Sequence, residues 1–291
     1  MLIYILNALL YASYLFLIAA GLSLIFGVMG IINLTHGCLF MLGAYTAITM
    51  FKLLGGFESF PMALLSIFIA SLIVGVVGLA LERFFICHIY EREDTYQLLL
   101  TYGLVFILED IVRLKWGFQP LYAHPVYKLL GSINIGGVFY PVYNFIVIIG
   151  SWLVALMLWF LLFKTKVGKI IRATSMDREM ASAIGVNIRN VYISTFLFGS
   201  ILGGLSGALM VPIAGAVLGM DVDVLIEAFV VIVIGGLGSI KGALLGAIIV
   251  GAMHSIGIAL FPEIELALIY LIMAIILVIR PQGLFGKKLT R

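Results

Sequence analysis

Long apolar runs, interrupted at uneven intervals by short polar clusters, set the layout of this chain. A helix needs about 20 apolar residues to cross a hydrocarbon core. Runs of about that length, or somewhat shorter, cover roughly 4–28, 36–54, 61–81, 96–114, 142–163, 191–213, 225–238, 243–260 and 266–279. The pattern predicts an all-α polytopic membrane protein with about nine transmembrane helices, eight to ten being allowed. Two of the runs are short or glycine-interrupted and have the form of broken or re-entrant segments. No polar stretch is long enough to fold separately, so residues 1–291 form a single membrane domain.

One polar interval differs from the rest. KTKVGKIIRATSMDREMASAIGVNIRN, at 164–190, carries six of the seventeen Lys and Arg residues but only two acids, Asp177 and Glu179. Flanked by apolar runs, it must be an exposed loop. Its centre reads as a short helix capped by Thr174 or Ser175, with Thr174-x-x-Asp177 fitting a capping box. Met176, Met180, Ala183 and Ile184 share one face, Asp177 and Arg178 turn away, and Gly185 supplies the left-handed stop. Such a helix suits docking into a groove on a soluble partner. It equally suits lying in the lipid headgroups.

Composition agrees with a membrane chain: 64% of residues are apolar, 11% are charged, and the mean hydropathy is +1.24. A soluble domain has about 25% charged residues. The N-terminus lacks a basic region and a small-residue cleavage site, so it reads as a retained span. Cys38 and Cys87 predict neither a disulfide nor a metal site. Charge becomes informative when divided by side. Placing 82–97, 164–190, the turn at Lys241 and the tail 280–291 together collects thirteen of the seventeen basic residues. By the positive-inside rule that face is cytoplasmic, with the N-terminus outside and the C-terminus inside. The other face then holds Glu58, Glu109, Asp110, Asp221, Asp223, Glu227, Glu263 and Glu265. Its one long loop, Trp116 to Pro141, is rich in proline and glycine.

Small residues recur at helical spacing. Gly199, Gly203 and Gly207, and again Gly238, Gly242 and Gly246, each align on one predicted face, for close packing or for loosening a helix beside a pathway. Gly27 to Gly30, His36-Gly37 and Gly43 echo Gly235 to Gly238, Lys241-Gly242 and Gly246, a pattern of glycine-broken segments in two halves that points to a transporter with repeats. Asn33, Thr35, His36 and Gly37 form a polar knot between the first two runs. They either satisfy backbone groups at a helix break or line a translocation path. Glu109 and Arg113 stand at ion-pair spacing. Gly236 to Lys241 lacks the Gly before the Lys and the Ser or Thr after it, so it is not a nucleotide-binding loop. Ser206 in GLSG, with His254 as base, sketches a protease dyad, which needs the two within hydrogen-bond reach.

Together GLSLIFGVMGIINLTHGCLFMLGAY at 21–45, MDREMASAIGVN at 176–187, VIGGLGSIKGALLGAIIVG at 233–251 and IRPQGLFG at 279–286 make the chain resemble the branched-chain amino acid ABC-importer permeases of the LivH/LivM kind, on the LivH side. The resemblance covers nearly the whole length. It implies a multi-pass permease of the cytoplasmic membrane, not an enzyme, that translocates branched-chain or related amino acids. It implies partners: a LivM-like second permease forming a heterodimer, two cytoplasmic ABC ATPases, an external substrate-binding protein and the lipid bilayer, with no nucleic acid. It implies no cofactor in this chain, ATP and Mg being bound by the ATPases. The family's ATPase-coupling pattern, Glu-Ala-Ala-x-x-x-Gly, is matched by Glu179, Ala181 and Gly185 and departs at Met180; the proline extension after the Gly is absent. Met176, Asp177, Glu179, Met180, Ala181 and Gly185 are thereby the expected coupling residues. Closely similar permeases move urea or short amides, and an independent secondary transporter is the alternative of another class.

Overall fold

The structure, a computed structural model, describes residues 2–260 and 262–286. In chain order its helices are α1 (Leu2–Met29), α2 (Thr35–Leu54), α3 (Phe60–Phe84), α4 (Asp94–Trp116), α5 (His124–Lys128), α6 (Val142–Lys164), α7 (Lys166–Met176), α8 (Arg178–Ala183), α9 (Ile188–Ala214), α10 (Met220–Gly235), α11 (Ile240–Leu260) and α12 (Glu265–Ile279). Each of the nine apolar runs forms a helix, except that the run at 225–238 stops at Gly235 and turns toward α11. Among the described residues, six helices are long and apolar enough to cross a membrane: α1, α2, α3 with its continuation to His88, α6, α9 and α11. α4 has the length but carries Glu109, Asp110, Arg113 and Lys115. α10 and α12, of 16 and 15 residues, extend about 24 Å and 22 Å, less than the core of about 30 Å. The long loop is not wholly irregular. It holds α5 and a hairpin of β1 (Ser132–Ile135) and β2 (Val138–Pro141), turned by Gly136 and Gly137 with φ of 60° and 89°.

The helix at the centre of the bundle is α1. From Ala12 to Ile25 it is buried on every side, which is why its sequence shows no polar face. Its neighbours are α6, α9, α10 and α11. α3 and α6 lie at the periphery. On α3, Phe68, Leu72 and Val76 point outward at helical spacing while Ile67, Ala70 and Val74 point in. In a bilayer such apolar exposure is the solvated surface.

Glycines let the backbones touch. A β-carbon at Gly207 would stand 1.9 Å from the Phe40 carbonyl oxygen, and one at Gly43 would stand 2.1 Å from that of Gly204. Gly199 faces Ile25 and Gly21 of α1, and Gly203 lies against the His36 ring. In the second set, Gly242 and Gly246 face the backbone of α10 at Gly235 and Val231. Gly238 does not share their helix face, contrary to its spacing. It lies in the turn before α11 with φ of 76°, because the turn must reverse the chain within a few residues. The two echoing segments meet there: a β-carbon on Gly27 would stand 2.9 Å from the Gly238 α-carbon. The end of the described chain closes the same region. Leu284 and Phe285 donate backbone hydrogen bonds to the Ile234 and Gly235 carbonyls, and Gly236 abuts Gly286.

The basic segments gather on one face. Arg172 and Lys241 both approach the Phe163 ring, at 5.0 and 4.9 Å, joining the 164–190 interval to the Lys241 turn. Tyr90, in the loop before α4, packs edge-on to Tyr192 near the start of α9. Burial pushes the Tyr90 phenol well above its ordinary pKa, and the hydrogen bond it donates to Glu82 adds to this. Residues 287–291 of the basic tail lie outside the described residues.

Candidate functional site

The 164–190 interval folds as two helices where one was expected. Thr165 caps α7, its Oγ1 accepting from the Gly168 amide at 3.1 Å. Neither Thr174 nor Ser175 is a cap. Thr174 is buried within α7, and the Ser175 hydroxyl donates to the Arg172 carbonyl. The break falls at Asp177, whose extended backbone (φ −155°, ψ 103°) ends α7 and whose Oδ1 accepts from the Met180 amide at 2.9 Å to start α8. Asp won because its short carboxylate reaches an N3 amide without leaving its own backbone position. At the far end Val186 N–H donates to Ala181 and Gly185 N–H to Ser182, the two bonds of a Schellman stop, with Gly185 at φ 89°.

The apolar stripe survives the break. Met176, Met180 and Ile184 are 75%, 62% and 70% exposed, so they offer a projecting apolar ridge on the basic face. Ala181 points the other way and is buried, seating α8 on the bundle. Glu179 and Ala183 are exposed beside the ridge. A six-residue helix cannot hold itself together. Its two caps and the buried Ala181 do so.

The polar knot lies at the break between α1 and α2. Gly30, φ 72°, ends α1, and residues 30–34 turn back into the bundle. Asn33, Thr35 and His36 are all fully buried. Asn33 Oδ1 accepts from the Thr35 amide at 3.1 Å and from its hydroxyl at 2.5 Å, starting α2. His36 Nε2 is 3.1 Å from the Ile18 carbonyl, near the middle of α1. Gly37 packs so closely that a β-carbon would stand 2.2 Å from the Asp221 carbonyl oxygen. One residue on, the Cys38 thiol donates to Asp221 Oδ2 at 3.1 Å, and Glu109 faces the same carboxylate. α2 therefore begins inside the bundle, against the start of α10. Arg113, expected to pair with Glu109, pairs instead with Asp110, one helical residue nearer.

A second polar group was not anticipated. Tyr11 and Tyr14 of α1 donate to the two carboxylate oxygens of Glu227 on α10, at 2.7 and 3.4 Å. The His254 ring of α11 stacks on Tyr11 with centroids 3.5 Å apart. Glu227 is not a loop-end acid as its position in the sequence suggested; it sits two turns inside α10. The signal was present: VLIEAFVVIV surrounds this one carboxylate with apolar residues on both sides. No Ser206–His254 dyad forms, because the Ser206 hydroxyl donates to the Tyr14 carbonyl at 2.7 Å. Cys38 and Cys87 are both free, and no metal-binding cluster occurs among the described residues.

A mostly helical bundle with six helices, among the described residues, long and apolar enough to cross a membrane has the form of a polytopic membrane protein. The chain belongs to the family described as "Branched-chain amino acid transport system / permease component", which matches residues 4–277. It is the permease subunit of an ABC importer. Among curated relatives, the high-affinity branched-chain amino acid transport system permease protein BraD of Pseudomonas aeruginosa is 27% identical, covering 97% of this chain and 94% of its own. LivH of Escherichia coli is 24% identical over 93% of this chain and 91% of its own. The probable permease LivH of Methanocaldococcus jannaschii is 27% identical over 98% and 93%. No solved structure gives a significant match.

Proposed function

We propose that this permease translocates branched-chain or related amino acids, handed to it by an external binding protein and driven by two cytoplasmic ATPases that grip the α7–α8 corner. The observation that carries this reading is the exposed Met176, Met180 and Ile184 ridge on the basic face, held by the Asp177 cap and the Gly185 stop. An apolar ridge on a basic loop calls for a grooved, soluble partner. The energy source in this reading is the pair of ATPase subunits, where ATP and Mg bind, as the family of ABC-importer permeases implies. The basic face is cytoplasmic by the positive-inside rule, which puts the N-terminus outside and the C-terminus inside. Nine crossings follow, with α4, α10 and α12 completed as spans by packing against a second, LivM-like permease. Asn33, Thr35, His36 and Gly37 hold the α1–α2 break, in keeping with their burial, and stay candidates for the translocation path.

The test is reconstitution of the chain with the second permease, the ATPases and the binding protein in liposomes. Leucine uptake should require ATP and loaded binding protein, and the permease alone should hydrolyse nothing. Uptake by the lone chain on an ion gradient refutes the reading in favour of a secondary transporter. Uptake of urea or a short amide with none of leucine moves it to that substrate class.

A further inference from the structure

We propose that Glu227, held by Tyr11 and Tyr14, is a contact for the ammonium group of the substrate as it crosses the membrane. This rests on the amino-acid reading above and adds a site to it.

The geometry is that of a prepared anionic cradle inside a bilayer. Glu227 lies seven residues into α10, about 10 Å along its axis. Tyr11 lies nine residues into α1, a helix of about 42 Å that overhangs the hydrocarbon by several Å at each end. The group therefore sits below the headgroups. Yet Glu227, Tyr11 and His254 are only half-buried. A carboxylate at that depth does not face acyl chains; it faces protein or water. Two phenol hydroxyls fix both carboxylate oxygens in place, and His254 stacked on Tyr11 fixes the ring that carries the shorter bond. Asp223, one turn earlier on α10 and exposed, and Tyr270 of α12 face the same group. Negative charge and aromatic faces gathered at one point fit an ammonium ion, through charge-assisted hydrogen bonds and ring quadrupoles.

A zwitterion must shed water from its ammonium to cross. A fixed carboxylate part-way along the route replaces that water without making a deep well. A permease site of this kind accelerates passage and leaves the half-saturating concentration to the binding protein. It also explains why Glu227 stands on α10, the short helix between the two glycine turns, and not on a peripheral helix.

The assembled transporter tests this in liposomes. Glu227→Gln should lower the maximum leucine uptake per assembled complex about tenfold or more. Half-saturation should barely change, and ATP hydrolysis stimulated by loaded binding protein should persist, so fewer substrates cross per ATP. Glu227→Asp should recover part of the rate. In a second measurement, Glu227→Cys in a Cys87→Ser background should react with a membrane-impermeant cationic thiol reagent added from the binding-protein side. Parental uptake by Glu227→Gln overturns the proposal. So does a Glu227→Cys thiol that stays unreactive in the assembled complex, even where Glu227→Gln fails to accumulate. If the parent complex itself moves no leucine, the amino-acid reading has failed, and the labelling still reports whether position 227 faces the route.

Discussion

Met180→Asp is the sharpest test of the ridge on α8. The side chain is 62% exposed and lies outside the hydrophobic core cluster, so the fold should tolerate the change. Complete burial of a methionine is worth about 1.5–3 kcal/mol. With the exposed share still available, docking gains about 1–2 kcal/mol from Met180. A carboxylate forfeits this gain and brings an unpaired charge into an apolar groove, costing several kcal/mol more even after relaxation. A net loss of roughly 3 kcal/mol is a conservative figure, equal to about a 150-fold weaker hold on the ATPase. The assay is ATPase affinity for the purified permease pair in detergent, read beside uptake normalised to membrane abundance. Ser182→Asp is the control. It is exposed on the same helix but about half a turn away from the ridge, and should change affinity by less than about threefold. Unchanged affinity and uptake with Met180→Asp would show that α8 lies in the headgroups and that coupling runs elsewhere.

Four further outcomes follow from the packing. Gly37→Leu should reduce the amount of folded protein, since even a β-carbon meets the Asp221 carbonyl at 2.2 Å; a normal amount with a lowered rate per molecule would instead put this residue on the route. Gly185→Val forces a β-branched residue to φ 89°, at about 1–2 kcal/mol, and should abolish transport while the protein remains in the membrane. Tyr90→Phe removes the donor to Glu82, which is fully buried, and should cost on the order of 3 kcal/mol in thermal stability; an unchanged melting temperature sinks that assignment. A cysteine at Lys128 should react with an impermeant reagent in intact cells and one at Ser175 should not, the reverse pattern overturning the orientation.

The amino-acid order by itself determined where the long helices lie, because burial in lipid demands continuous apolar runs and leaves a plain record of them. It also determined the exposed loop at 164–190, its ridge and its Gly185 stop, since these depend on local spacing and on one backbone conformation. It indicated the grouping of basic segments, which the Phe163 contacts with Arg172 and Lys241 reproduce. The tertiary structure alone decided the rest. Capping by Asp177 over Thr174 depended on Thr174 being buried against the bundle. Arg113 pairs with Asp110 on its own helix while Glu109 faces Asp221 of another, a contact that no spacing within one helix records. Gly238 left its predicted face because the turn needed a positive φ beside Gly27. The Tyr11, Tyr14, Glu227 and His254 group joins α1 to α10 and α11, more than two hundred residues further along the chain. No periodicity records which faces of distant helices meet; that is fixed by how their backbones pack, and here by the glycines that let them approach.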